Sequence, residues 1–266
     1  MEQQTFDTLT VAQGYVASGL SVFPIAHGSK EPAFDLLPRI YDEAADKTRA
    51  SWKPFQDRRP NDAELRHWFA RSDAGIAIVC GTVSGGLVAL DIESLELYER
   101  WLELVAHLVE EATLATLPVV ASGKGRHVYF RMEAPPGNRR LAMRGRQILA
   151  EIRGEGGCIT APPSVHPSGK VYQLLHGDLR AVPRLDLGTA EALLDAARAL
   201  APVAEHPAQA AKSAGAGAAR DGESVIDAYN SRHQIAAVLE AHGYTRDRAY
   251  PLPTSRRTHR CGRLLA

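Results

Sequence analysis

One short run constrains this chain more than any other. Leu87-Val88-Ala89-Leu90-Asp91-Ile92-Glu93 is apolar until two carboxylates appear, two residues apart. The run is too short for a typical helix and follows Gly85-Gly86, so it is expected to be a buried strand. Successive strand side chains alternate faces, so Asp91 and Glu93 project together while Ile92 packs on the other side. Two carboxylates on one face repel each other unless a proton or a cation lies between them. A hard divalent ion with oxygen ligands, Mg²⁺ or Mn²⁺, is the natural occupant. A solvated strand end or a helix cap gives the same pair, so the rest of the chain has to decide.

The chain has 266 residues, enough for one large or two small domains with a proper core. Its 31 basic residues balance 31 acidic ones, which argues against a protein that coats nucleic acid nonspecifically but leaves room for a local basic groove. Cys80, Cys158 and Cys261 are scattered, with no C-x-x-C pairing. They point to a reducing compartment, and to neither a disulfide framework nor zinc. The N-terminus lacks the basic and apolar regions of a leader and no run is long enough to span a membrane, so a cytoplasmic protein without a membrane partner is expected.

Apolar spacing predicts a helix over residues 8–18 with Gly19 as its C-terminal cap. Ser21 to Ile25 is expected to be a strand that Pro24 puts at an edge or end. Asn61 or Asp62 caps a short helix through Phe69. Gly75 to Val79 is a second apolar strand, which the glycine-rich turn Gly81–Gly86 leads into the Asp91 strand. Residues 95–116 carry the longest amphipathic pattern, with Leu95, Leu97, Tyr98, Trp101, Leu102, Val105, Leu108 and Val109 as its core stripe. Pro118 to Ala121 and His127 to Phe130 are strands joined by Ser122-Gly123-Lys124-Gly125-Arg126. A basic loop, Arg139 to Arg146, leads into a strand over 148–153. Further strands are expected over 158–161 and 171–175, and an Ala/Leu-rich helix over 188–201. Residues 1–201 are expected to be a catalytic domain and 202–222 a flexible linker. Residues 223–266 then hold a helix, roughly Ser224 to Ala241, that opens a truncated C-terminal region. The fold class is α/β (α+β), with a sheet of mixed direction.

Three strand ends carry polar groups that a purely structural strand does not need. Asp91 and Glu93 end the first, His127 opens the second, and Glu151 with Arg153 ends the third. Side by side they give three carboxylates, a histidine and several cations. That inventory suits metal-dependent phosphoryl or nucleotidyl transfer, in which carboxylates hold metal and Lys, Arg and His hold a triphosphate. Glycines 123 and 125 let backbone N–H groups approach phosphate oxygens. Each piece also has a plainer reading: a packed histidine, a surface Glu151–Arg153 pair, a solvated arginine loop.

Five segments taken in order resemble the bifunctional DNA primase–polymerase N-terminal domain of the archaeo-eukaryotic primase superfamily. They are Gly19-Leu-Ser-Val-Phe-Pro-Ile, Gly28-Ser-Lys-Glu-Pro, Ser84-Gly-Gly-Leu-Val-Ala-Leu-Asp-Ile-Glu, Ser122-Gly-Lys-Gly-Arg-His-Val-Tyr-Phe, and the long run from Glu151 to Tyr172 that contains Pro162-Pro-Ser-Val-His-Pro-Ser-Gly. The resemblance covers about residues 8–200. It implies an RRM-like catalytic sheet with an additional N-terminal α/β module. It implies that Asp91, Glu93 and Glu151 bind two catalytic divalent metals, and that His127 contacts the nucleotide phosphates with Ser122, Lys124 and Arg126. Arg153, Ser164 and His166 would line the nucleotide pocket, and Lys30 is a weaker candidate. The implied partners are a single-stranded DNA template with its primer, an NTP or dNTP, and a helicase supplied in trans. The implied setting is replication of a plasmid, phage or other mobile element.

Two departures qualify this. The cysteine count leaves no zinc-binding stem, and no P-loop is present, so neither a zinc site nor an ATPase module is expected. A metal-dependent nuclease is the runner-up, but it calls for Lys where Arg153 stands. A non-catalytic RRM-like binding module needs exposed aromatics, and only 6% of this chain is aromatic.

Overall fold

The computed structural model describes residues 7–43 and 46–202, with two short strands, Thr245–Arg246 and Leu264–Leu265, further on. The expected linker beyond residue 202, the helix over 224–241 and Cys261 lie outside these residues. The chain divides into two compact units, residues 1–204 and 205–266. In the second unit the two short strands pair antiparallel.

The first unit is α+β. It opens with α1 (Thr8–Ala17), which Asp7 caps through its carboxylate, and Gly19 at φ 89° then turns the chain into β1 (Ser21–Ile25). A small hairpin, β2 (Arg39–Asp42) and β3 (Lys47–Ala50), follows. Next comes α2 (Asp62–Phe69), whose N-cap Asn61 and Glu64 form a reciprocal capping box. β4 (Gly75–Val79) is fully buried. It pairs with β1 on one side and with β10 (Cys158–Ala161) on the other in a three-stranded sheet. Pro24, which has no N–H to donate, therefore sits on an edge strand as expected.

The second sheet has six strands. At its centre is β5 (Leu87–Ile92), flanked by β7 (Arg126–Arg131) and β9 (Gln147–Arg153). Outside them lie β6 (Val119–Ala121) and β8 (Arg139–Arg144), and beyond β6 the edge strand β11 (Gln173–His176). Every named ladder is antiparallel, which corrects the expectation of a mixed sheet. The β6–β7 and β8–β9 hairpins impose that direction. The glycine turn at 81–86 also does more than reverse the chain, because β4 and β5 belong to different sheets.

Alternation along β5 divides the core. Val88, Leu90 and Ile92 pack with Val128, Phe130 and Ile152 under α3 (Leu95–Val105) and α5 (Leu187–Arg198). There Trp101 is buried and its indole N–H donates to the Leu193 carbonyl at 3.1 Å. Leu87, Ala89 and Tyr129 face the other way and pack with β1, β4 and α2. Asp91 continues that second face at the point where the packing between the sheets gives out.

Two expectations fail for definable reasons. The pattern over 95–116 is not one helix: α3 stops at Val105, and a single turn, α4 (Glu111–Leu114), follows. Trp101, Val105 and Val109 are buried, but Leu108 is 57% exposed and Leu95 and Leu102 are also on the surface. The periodicity is right, but only its central part has a sheet beneath it. The expected basic loop at 139–146 is largely the edge strand β8, where pairing with β9 supplies the hydrogen bonds that its polar composition hid. Arginines on an edge strand also discourage pairing with another chain.

Candidate functional site

Antiparallel register sets the centre of the site. Asp91 pairs with His127 on β7 and with Glu151 on β9, so the three side chains form one row across three strands. One row further in, Ala89 pairs with Tyr129 and Arg153, and its small side chain leaves space between them. Glu93 follows directly after β5 and is open to solvent. Ligand oxygens from Asp91, Glu93 and Glu151 all lie within 4.8 Å of one another. Two oxygens on one Mg²⁺ are at most about 4.2 Å apart, twice the ~2.1 Å Mg–O bond. Small side-chain adjustments therefore bring this set to a hard divalent ion, and its all-oxygen donors suit Mg²⁺ or Mn²⁺ over zinc.

The electrostatics point the same way. Burial pushes the Asp91 carboxyl above its ordinary range, although the positive charges of Lys30 and Arg153 oppose the shift. Partial burial also raises Glu93, reinforced by Asp91 and Glu151 and opposed by Lys30 and Lys124. Arg153 donates to Glu151 Oε1. Such carboxylates are held together at a cost that a bound cation relieves.

His127 forms the floor of the site and is only 3% exposed. Its Nε2 is 3.6 Å from Asp91 Oδ1 and its Nδ1 is 3.2 Å from the Tyr129 hydroxyl. Burial, with Lys30 and Arg153 nearby, lowers its pKa to about 3, so the ring is neutral and the contact with Asp91 is no salt bridge. Tyr172 packs against this ring and against that of His166, with centroids 5.6 and 5.7 Å away.

A second cluster lies beside the first. The turn Ser122–Gly125 closes the β6–β7 hairpin: Ser122 N–H donates to the Gly125 carbonyl, and Ser122 Oγ accepts from Gly125 N–H. Gly125 has no room for a side chain, since a Cβ there would come within 1.8 Å of the Ile92 carbonyl oxygen. Gly123 is likewise covered by the His166 ring, 2.4 Å from where a Cβ would stand. Around this turn is a pocket of about 490 Å³ lined by Ser122, Lys124, Arg126 and Lys170 with the apolar rim of Leu95 and Val171. His166 Nδ1 accepts from the Ser168 N–H at 3.0 Å, which leaves Nε2 to donate.

The expected site residues thus fall into two adjacent groups. Asp91, Glu93, Glu151, His127 and Arg153 meet at the carboxylate row, while Ser122, Lys124, Arg126 and His166 gather about the basic pocket. Ser164 belongs to neither. It is buried, its hydroxyl accepts from Ile76 N–H at 2.7 Å and donates to the Ile76 carbonyl at 3.1 Å, and so it anchors β4. Lys30 reaches further than its loop suggested, since its charge acts on Asp91, Glu93, His127 and His166. Tyr129, Tyr172 and Lys170 were missed. Tyr129 was legible, being two residues from His127 on one strand, but neither Tyr172 nor Lys170 had a comparable signal.

A family model described as bifunctional DNA primase/polymerase, N-terminal (Prim-Pol), matches residues 12–190, which contain both groups. Comparison with curated proteins gives no match. Among the described residues no helix is long and apolar enough to cross a membrane.

Proposed function

The chain belongs to the bifunctional DNA primase/polymerase N-terminal family, and on that premise we propose that it catalyses template-directed nucleotidyl transfer, extending or starting a primer on a single-stranded DNA template. The observation that carries this reading is the carboxylate row of Asp91, Glu93 and Glu151 beside a pocket with three cationic side chains. Either alone is common; together they match the two halves of a nucleoside triphosphate reaction.

Asp91, Glu93 and Glu151 would hold Mg²⁺ or Mn²⁺, and divalent ions there supply activation of a hydroxyl nucleophile and charge neutralisation at the phosphates. Lys124 and Lys170 bind the triphosphate tail, and His166 donates from Nε2; Arg126 pairs with Ile92, on the opposite face from Asp91, and lines the pocket from there. Ser122 shapes the turn that presents these groups. His127, neutral and buried, packs beneath Asp91 as the floor of the site, while Arg153 orients Glu151. We read residues 1–201 as the catalytic part, with replication of a mobile element, and a helicase working in trans, as the setting the family suggests.

Primer extension with Mg²⁺ or Mn²⁺ tests this, comparing the wild type with Asp91→Asn and including a lane without primer. Extension that disappears in the variant supports the proposal. Intact primer in every lane, from folded protein, counts against it, and a shortened primer would indicate a nuclease.

A further inference from the structure

The row of paired residues does not end at Glu151. Arg140 on β8 stands opposite Glu151, so His127, Asp91, Glu151 and Arg140 share one line and one face. Arg140 is exposed, as are Arg139, Arg144 and Arg146 in the same hairpin. Among the described residues none of these four guanidinium groups pairs with a carboxylate. Helix α5 packs against β8, but its acids Glu191 and Asp195 both hold Arg198. An edge with this much uncompensated positive charge repels itself and matches a polyanion.

Which polyanion follows from the geometry of the reaction, and here the argument rests on the proposed function. Transfer forms a bond from the primer 3′-oxygen to the α-phosphorus and breaks the bond from that phosphorus to the oxygen bridging to the β-phosphate. Pyrophosphate departs and the hydroxyl proton passes to solvent. The entering and leaving oxygens lie on opposite sides of phosphorus. Lys124, Arg126 and Lys170 line the pocket at the β6–β7 turn, on the β7 side of Asp91. The attacking hydroxyl must then arrive from the β9–β8 side. We propose that the arginine edge of β8, led by Arg140 and continued by Arg144 and Arg146, holds the phosphate backbone of the primer strand. Arg139 pairs with Ile152 and so lies on the opposite face, and is not assigned.

The test is fluorescence anisotropy of a labelled primer–template duplex between 50 and 200 mM salt, with parallel extension kinetics. The proteins are the wild type, Arg140→Ala, Arg140→Lys, and the triple variant with Arg140, Arg144 and Arg146 changed to Ala. One lost phosphate contact lowers the log–log salt slope by ~0.9 and weakens binding about eightfold near 0.1 M salt. Arg140→Ala should show that loss, Arg140→Lys should restore most of it, and the triple variant should lose a slope of about 2.7. The KM for nucleotide should stay constant throughout. Unchanged duplex affinity and slope in the triple variant, while the wild type extends primer, overturns this inference and leaves the proposed function standing. An equal loss of affinity for unprimed template would assign the edge to the template and overturn the primer assignment. Arginine-dependent duplex binding without any extension by the wild type would support the edge and remove the proposed function.

Discussion

Asp91 and Glu151 stand directly opposite each other on neighbouring antiparallel strands, with His127 completing the row on the far side of Asp91. Residues so paired have Cβ atoms about 4.5–5.5 Å apart. Strand pairing therefore holds the two acids side by side, and the repulsion that both exert on Glu93 helps to raise its pKa.

A divalent ion should relieve that repulsion measurably. At ~100 times its Kd, Mn²⁺ should add about 2.7 kcal/mol to the wild type, or roughly 5–10 °C in Tm for a domain of this size. Asp91→Asn should abolish the shift and lower primer extension by ~10²-fold or more. Without metal the variant should melt at or above the wild-type temperature, because burial already disfavours the Asp91 charge. Differential scanning fluorimetry reads both effects, and a metal shift preserved in the variant would count against Asp91 as a ligand.

Ser164 separates a structural role from a binding one. Its hydroxyl serves both the N–H and the carbonyl of Ile76 in a buried setting. Ser164→Ala should cost about 1–3 kcal/mol by leaving those groups unsatisfied. Urea denaturation checks the loss. Extension kinetics should show the KM for nucleotide unchanged, and a raised KM at unchanged stability would return Ser164 to the pocket.

Glu64 gives a pH-dependent prediction away from the site. Arg58 donates to both its carboxylate oxygens at 2.7 and 2.8 Å, and the Asn61 N–H donates to it at 2.9 Å. The hydrogen bond from Arg58, outweighing partial burial, holds its pKa below the usual glutamate value. A lowered folded pKa means stability that is present above the unfolded pKa of about 4.3 and lost as pH falls through the folded value. Glu64→Gln should therefore destabilise the protein by about 1 kcal/mol at pH 7, and the gap from wild type should close in acid. Thermal melts from pH 7 down to pH 3 would show it.

What could be read from the sequence depended on whether a residue's neighbours were local. The shortness of the apolar run 87–93 and the glycines before it are enough to predict the β5 strand, and alternation along it then gives Asp91 and Glu93 a shared face, because both signals are properties of one strand. That Glu151 pairs with Asp91 came only from bringing strand ends together by type, and the register that lines them up depends on hairpins far apart in sequence. The edge strand β8 looks like a loop in the sequence because charge masks strand character where one side of the strand is open to solvent. The stripe over 95–116 outruns α3 for the converse reason: Leu108 has the right spacing but no sheet beneath it. Tyr172 has no such local signal, since its contact with His127 exists only once the connection between β10 and β11, which also carries His166, folds over β7.

The turn beside the pocket can be tested by the smallest possible change. A Cβ on Gly125 would meet the Ile92 carbonyl oxygen at 1.8 Å, a backbone atom that cannot rotate away. Gly125→Ala must therefore push the Ser122–Gly125 turn off the end of β5 or distort the strand that carries Asp91. Overpacking of this kind costs typically ~1–3 kcal/mol. Because Lys124 and Arg126 ride on the same turn, the KM for nucleotide should rise together with the loss of stability. Ser122→Ala removes only the Oγ that accepts from Gly125 N–H at 3.1 Å, so it should give a smaller version of the same pair of effects, about 1 kcal/mol in urea denaturation. If Gly125→Ala instead melts like the wild type and keeps its nucleotide KM, the close approach of this turn to β5 does not hold in solution.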